Sequence, residues 1–377
     1  MCFSLFLAVI CAVVPAPILA QGLTEQRVRG KDWWPTQGRA PRSAYAGPDA
    51  CAPCHPAQTA NQTTTAMARA AAPAETDPVL SGHPLMTFQL GPYSYSIRRV
   101  GGQSIYTVSD GANSASVPLV WAFGLGNGVI GQTYLYQQEG RLYETHVSYY
   151  DMLGGLDITT GHERKVPASI EDAQGKFLHD TVARQCFACH NTASITEDRL
   201  TPEEMIIGVT CEACHGPGAK HVALMTTGGK ENTDKLIFNP ASLKPREQTD
   251  FCGACHRTWW DVKLLDVRGL DNVRFHPYRL QSSRCWTAED KRIACQACHD
   301  PHGSPSGKHV DFSQKCLACH ATSTGSAEKS AGSAKPCPVG KKDCVGCHMP
   351  KYEPPAMHFT FTDHWIRVVR PGKTYPE

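Results

Sequence analysis

The stretch GVTCEACHGPGAKHV, residues 208–222, holds two cysteines separated by two residues, with a histidine directly behind the second: Cys211, Cys214 and His215. The same spacing recurs at Cys51, Cys54 and His55, at Cys186, Cys189 and His190, and at Cys252, Cys255 and His256. It returns at Cys295, Cys298 and His299, at Cys316, Cys319 and His320, and at Cys344, Cys347 and His348. Fourteen of the 18 cysteines in 377 residues fall into these seven copies of C-x-x-C-H.

This spacing is the attachment signature of c-type haem. Two thiols add across the two vinyl groups of one porphyrin edge, and two intervening residues set the sulfurs at the separation this requires. The histidine that follows falls beneath the ring as the proximal iron ligand. Zinc sites use C-x-x-C pairs, but zinc chemistry does not demand a histidine after every second cysteine. A disulfide framework would leave the seven histidines unexplained. The sequence therefore predicts seven covalently attached haems c.

The motif starts are separated by 135, 25, 41, 43, 21 and 28 residues. Six motifs crowd into residues 186–348, roughly 27 residues each, too few to build a separate apolar pocket around every ring. The porphyrins must then form much of the core and touch one another, which favours a wire. The expected fold is a multihaem cytochrome c, mainly short α-helices and loops wrapped around stacked haems, with a small antiparallel β module inserted after the first haem. That module is read over residues 83–160. YSYSIRRV (93–100), SIYTV (104–108), QTYLY (132–136) and LYETHVSY (142–149) are aromatic and β-branched runs bounded by glycine turns. Residues 56–72, rich in Ala and Thr, read as a helix beside the first haem. The module's Trp121, Tyr134, Tyr136, Tyr149 and Tyr150 suit packing on porphyrin, so the module is expected to bracket the first haem and press it against the haem at Cys186 or a later one.

Residues Phe3 to Ala20 are almost entirely apolar and are broken by Pro15 and Pro17. They read as a secretory signal peptide, although no Lys or Arg precedes the apolar run. The expected organisation is a signal peptide at 1–20, a linker at 21–50, the first motif with the β-rich module at 51–185, and a six-haem domain with a distal-ligand tail at 186–377. The mature chain is expected to be periplasmic or extracellular, with no transmembrane segment. Cys285 and Cys337 remain outside the motifs, and in an oxidising compartment they are expected to pair as a disulfide, with two free thiols as the alternative. Lys and Arg total 37 against 35 Asp and Glu, a formal +2, which excludes the basic footprint of a nucleic-acid binder.

The chain resembles the multihaem cytochromes c of the cytochrome c-554-like class, and more closely a heptahaem bacterial group often fused to tetratricopeptide repeats. The resemblance rests on GVTCEACHGPGAKHV (208–222), PYRLQSSRCW (277–286), ACQACHDPHG (294–303), DCVGCHMPK (343–351) and HFTFTDHWIRV (358–368), and on the β stretch 131–163. No repeat region follows. His146 and His162 stand where relatives would carry other residue types, so no ligand role passes to them. The resemblance implies electron transfer through haem c.

Seven irons need seven distal ligands, and ten histidines lie outside the motifs. His221 follows a Gly-Pro-Gly turn behind the third motif. His302 lies past a proline turn in CHDPH, and His358 and His364 follow the last motif among Phe359, Phe361 and Trp365. With His276, His309 and His83 these form the expected distal set, while His146, His162 and His179 read as structural or solvent-facing. For the first haem, His83, an open site and Met67 all stand, since a Met thioether can be an axial ligand or a core filler.

The expected function is an extracytoplasmic relay between redox partners, such as a membrane quinol-oxidising complex or another cytochrome. One alternative is an oxidoreductase acting on small nitrogen or sulfur compounds at an open haem. The other is a subunit of an extracellular filament, which would self-associate.

Overall fold

The computed structural model describes residues 40–124, 130–229, 236–303, 311–320, 337, 339–370, 372, 375 and 376. The signal-peptide reading, most of the linker and His309 lie outside them.

Ten antiparallel strands form one sheet: β1 (Ala71–Pro73), β2 (Leu85–Leu90), β3 (Tyr93–Val100), β4 (Gln103–Ser109), β5 (Ser114–Gly124), β6 (Gly131–Gln138), β7 (Arg141–Thr145), β8 (Val147–Tyr150), β9 (Gly155–Ile158) and β10 (Gly175–Phe177). Burial alternates along β3 and β4, as the side-chain period of two requires when one face meets a core. Tyr95, Ile97, Tyr106, Val108, Tyr134 and Tyr136 fill that core. The long strand β5 serves two halves of the sheet: Ser114–Pro118 pairs with β4, and Leu119–Gly124 pairs with β6. The register shifts between Leu119 and Trp121, and such a bulge bends a strand. The sheet curls accordingly, bringing β2 against β9. It is larger than the small module expected over 83–160, because Ala71–Pro73 adds beside β5 and Gly175–Phe177 adds beside β7.

The helices are short. They include α1 (Pro48–Cys51), α2 (Pro56–Gln62), α3 (Pro78–Gly82), α4 (Ile170–Gln174), α5 (Asp180–His190), α6 (Glu212–His215), α7 (Ala219–Thr226), α8 (Pro245–His256), α9 (Trp259–Leu264), α10 (His276–Gln281), α11 (Cys295–Cys298), α12 (Ser313–His320) and α13 (Cys344–His348). Seven of them end at or within a C-x-x-C-H copy. The helix expected over 56–72 stops at Gln62. The hydroxyls of Thr63, Thr64 and Thr65 donate to the carbonyls of Ala60, Asn61 and Gln62, a local alternative to continuing the helix.

A second core joins the sheet to the helical part. Ala71, Phe123 and Leu135 pack on Leu178, Ala183 and Phe187, the last two on α5. Trp121 meets Phe187 edge-on at 5.6 Å, and Phe123 meets the second motif's His190 at 5.4 Å. Among the described residues the sheet thus meets the second motif, and Tyr134, Tyr136 and Tyr149 belong to the sheet's own core.

Candidate haem-binding site

The first motif lies against the third. Glu212, between the two cysteines of the third motif, is 2% exposed and accepts hydrogen bonds from the amides of Ala46, Gly47 and Gly218 at 2.8, 2.8 and 2.6 Å. Just ahead of it, the Val209 amide donates to the Met67 carbonyl, and Gln62 Nε2 donates to the Val209 carbonyl. The chain passes so close here that a Cβ on Gly208 would sit 2.0 Å from the Ala68 carbonyl oxygen, and Gly208 has φ +78°. Met67 contributes its backbone to this junction and its side chain is half-buried.

Different motifs adjoin across the helical part. Glu212 of the third holds the loop ahead of the first, and Cys189 Sγ of the second donates to the Ala254 carbonyl inside the fourth at 3.9 Å. Phe238, whose carbonyl accepts from His215, packs on Phe251 just ahead of the fourth, and the Gln296 amide inside the fifth donates to Gln248 at 3.0 Å, a turn before the fourth. His299 of the fifth packs on Phe312 ahead of the sixth, and the Cys344 amide of the seventh donates to Ser313 ahead of the sixth at 3.5 Å. Motifs 1, 3, 4, 5, 6 and 7 are therefore linked in that order, and motif 2 joins at motif 4. Cys285 and Cys337 are separate, exposed thiols, and the expected disulfide is absent. Cys285 neighbours Cys298 and Cys319 instead.

Three histidines outside the motifs face motif histidines across a constant gap. His215 and His302 are 6.0 Å apart between ring centroids, with their planes parallel to within 5°. His256 and His276 are 6.2 Å apart, and His299 and His364 6.1 Å. An iron bonded to two imidazole nitrogens at about 2 Å each separates the ring centroids by ~6 Å once each ring's own radius is added. Several rings are also tethered as metal-ligating imidazoles usually are, with Nδ1–H given to a backbone carbonyl and Nε2 left out of that bond. His190 donates to Ala70 at 2.8 Å, His215 to Phe238 at 2.7 Å, His348 to Arg367 at 2.8 Å and His364 to Thr362 at 3.0 Å. Burial pushes the His276 pKa well down and that of His364 to about 4, so both rings are neutral at pH 7. Spacing and tethering together fit haem iron held between two imidazoles.

The remaining candidates are placed differently. His221, on α7, has a buried Nδ1 without a hydrogen-bond partner among the described residues, and α7 packs on the turn Arg42–Ala44 just before the first motif. His83 donates Nδ1–H to Val79 and packs 4.9 Å from Tyr149, inside the β part. His358 has its Nε2 2.6 Å from Asp157 Oδ2 and its ring on Tyr150, which docks the C-terminal tail on the sheet. His146 and His162 lie together in the sheet, Nδ1 to Nδ1 at 3.3 Å, with His162 Nε2 3.0 Å from Glu144. His179 precedes α5 and packs edge-on against Phe177. Sequence reading passed over Glu212, Arg279 and Asp363. Arg279 and Asp363 form a fully buried bidentate ion pair beneath His276 and His364, with both bonds at 2.8 Å.

The repeated attachment motif and the paired imidazoles define a protein built around covalently bound haem. The sequence model of the family described as "Cytochrome c554 and c-prime" matches residues 157–216. The multiheme cytochrome MtrA of Shewanella baltica (strain OS185) is 24% identical over 180 residues, covering 45% of this chain and 46% of that protein. The chain thus spans about half the length of that curated relative. The crystal structure of the outer cell wall cytochrome OcwA superposes with a TM-score of 0.50 at 15% identity, over 86% of this chain and 80% of that one. In its C-x-x-C-H repeats and in these likenesses the chain is similar to multihaem c-type cytochromes.

Proposed function

We propose that the chain carries seven haems c, one on each C-x-x-C-H motif, and relays electrons along them between redox protein partners outside the cytoplasm. The observation that carries this is the succession of motif contacts from the Glu212 junction of the first and third, through Gln248 and Gln296 between the fourth and fifth, to Ser313 and Cys344 between the sixth and seventh. Haem iron supplies the one-electron chemistry. The protein's part is to hold consecutive sites in contact and to fix both axial positions, so that little rearranges when charge moves.

In this reading His55, His190, His215, His256, His299, His320 and His348 are the proximal ligands. His302, His276 and His364 are the distal partners of His215, His256 and His299, supported by the 6.0–6.2 Å spacings. His221 serves the first motif, supported by its unpartnered buried nitrogen and the packing of α7 beside that motif. His83 and His309 remain candidates for the other irons, and we read His358 as an anchor of the tail. The domain division at 185/186 is kept as a functional one, with the sheet-bearing part bonded to the second motif and the six-motif part forming the conduit. No helix among the described residues is long and apolar enough to cross a membrane. The name of OcwA places that protein in an outer cell wall, which supports an extracytoplasmic setting here; a quinol-oxidising complex or another cytochrome is the partner class.

Stopped-flow reduction of the holoprotein tests the relay. All haems should pass to the ferrous spectrum, with the Soret shift and the α band appearing in full with one reductant, and return to the ferric spectrum with a second cytochrome as oxidant. A Cys252→Ala/Cys255→Ala variant, lacking the motif at which the path branches, should leave a fraction that no longer equilibrates quickly. Wild-type kinetics in that variant would refute a relay through the fourth motif.

A further inference from the structure

The buried Arg279–Asp363 pair lies outside the cysteine motifs, with the Asp363 amide bonded to the Pro350 carbonyl just past the seventh, and each partner sits beside a candidate distal histidine. Arg279 is on α10, one turn after His276, and Asp363 directly precedes His364. The guanidinium donates from Nε and Nη2 to the two Asp363 oxygens, both at 2.8 Å, and from Nη1 to the Pro376 carbonyl at 3.0 Å. Its faces stack on Trp365 and Tyr375, 4.8 and 4.5 Å from the ring centroids. Arg367 donates to the same carboxylate, and Ser283, just past α10, accepts from the Ile366 amide and donates to the His364 carbonyl. The two histidine rings themselves are 4.3 Å apart.

An ion pair with no exposure is expensive to assemble and costlier still to break on one side. A surface clamp would hold the tail with less desolvation. What the fork adds is geometry: two parallel bonds fix the mutual orientation of the two segments, which a lysine cannot do. We infer that Arg279 is a positioning residue that sets His276 and His364 as one unit, so that the axial ligation of the fourth and fifth haems is made or lost together. This rests on the reading of those two histidines as distal ligands.

Electron paramagnetic resonance of the holoprotein, with haem content fixed by intact mass, tests it. His276→Ala and His364→Ala come first, and each should convert one low-spin centre to high-spin. If neither does, the ligand reading fails and the inference falls with it. If both do, Arg279→Lys should convert or shift two centres while all seven haems stay attached. Wild-type signals, or a change at one centre alone, would overturn the coupling. Ser283→Ala reads the same property with a milder lesion, since it touches only the His364 segment. Coupling predicts two shifted low-spin signals, and independent ligands predict one. If Arg279→Lys does not accumulate as holoprotein, the Ser283→Ala result decides.

Discussion

Glu212 shows how one side chain joins parts of the molecule distant in sequence. Its carboxylate receives three backbone amides, two of them from the loop ahead of the first motif. Removing the acceptor strands those donors in a buried place, and each hydrogen bond to a charged group contributes on the order of 1.5–3 kcal/mol. Glu212→Ala is therefore expected to cost about 3 kcal/mol or more, read as a lowered urea midpoint of the holoprotein, with new protease cleavage near residues 40–50. Glu212→Gln, which keeps one acceptor oxygen, should cost about half as much. A midpoint within error of wild type for Glu212→Ala would remove it from the junction. The seven motifs were legible in the sequence because covalent chemistry fixes both residue types and spacing. Glu212 was not, because a glutamate between two haem cysteines looks like a solvent-facing position, and what buries it is a loop some 165 residues earlier. Arg279 and Asp363 escaped for the same reason: each reads as an ordinary surface charge until the other is brought to it.

Among the elements, the strands were readable from alternation and glycine turns, while their assembly was not. The bulge in β5, which bends the sheet, comes from pairing on both sides and leaves no mark in the local pattern. The expected helix over 56–72 failed where three consecutive threonines bond back to the preceding turn, and the chain beyond them is drawn out to pair with β5. The approach at Gly208 is what closes this segment on the third motif. Gly208→Ala would place a methyl against the Ala68 carbonyl at a positive φ, a loss of roughly 2–3 kcal/mol. It should appear as faster proteolysis between residues 56 and 70, with the other motifs unaffected. At the contact between sheet and helical part, Phe187 is fully buried against Trp121 and Phe123. Phe187→Ala should cost about 3–5 kcal/mol in thermal or urea unfolding. A loss below about 1 kcal/mol would mean that the sheet and the second motif do not depend on each other.

On the scale of the whole molecule, the order of motifs in space differs from their order in sequence. The third motif stands between the first and the fourth, and the second joins from the side, beneath the sheet. Crowding within residues 186–348 announced contact among the sites, but spacing alone carries no information about which motif meets which. That is decided by the Glu212 junction, the bond from Cys189 to the Ala254 carbonyl and the tail segment that returns His364 to His299. Whether seven six-coordinate haems form one conduit is read by a potentiometric titration of the holoprotein followed by electron paramagnetic resonance, with haem content set by intact mass. Seven haems per chain are expected, with low-spin signals dominating and little carbon monoxide binding after reduction. Fewer than seven haems, or high-spin ferric signal and carbon monoxide binding at several of them, would contradict the conduit and point to open, substrate-binding sites instead.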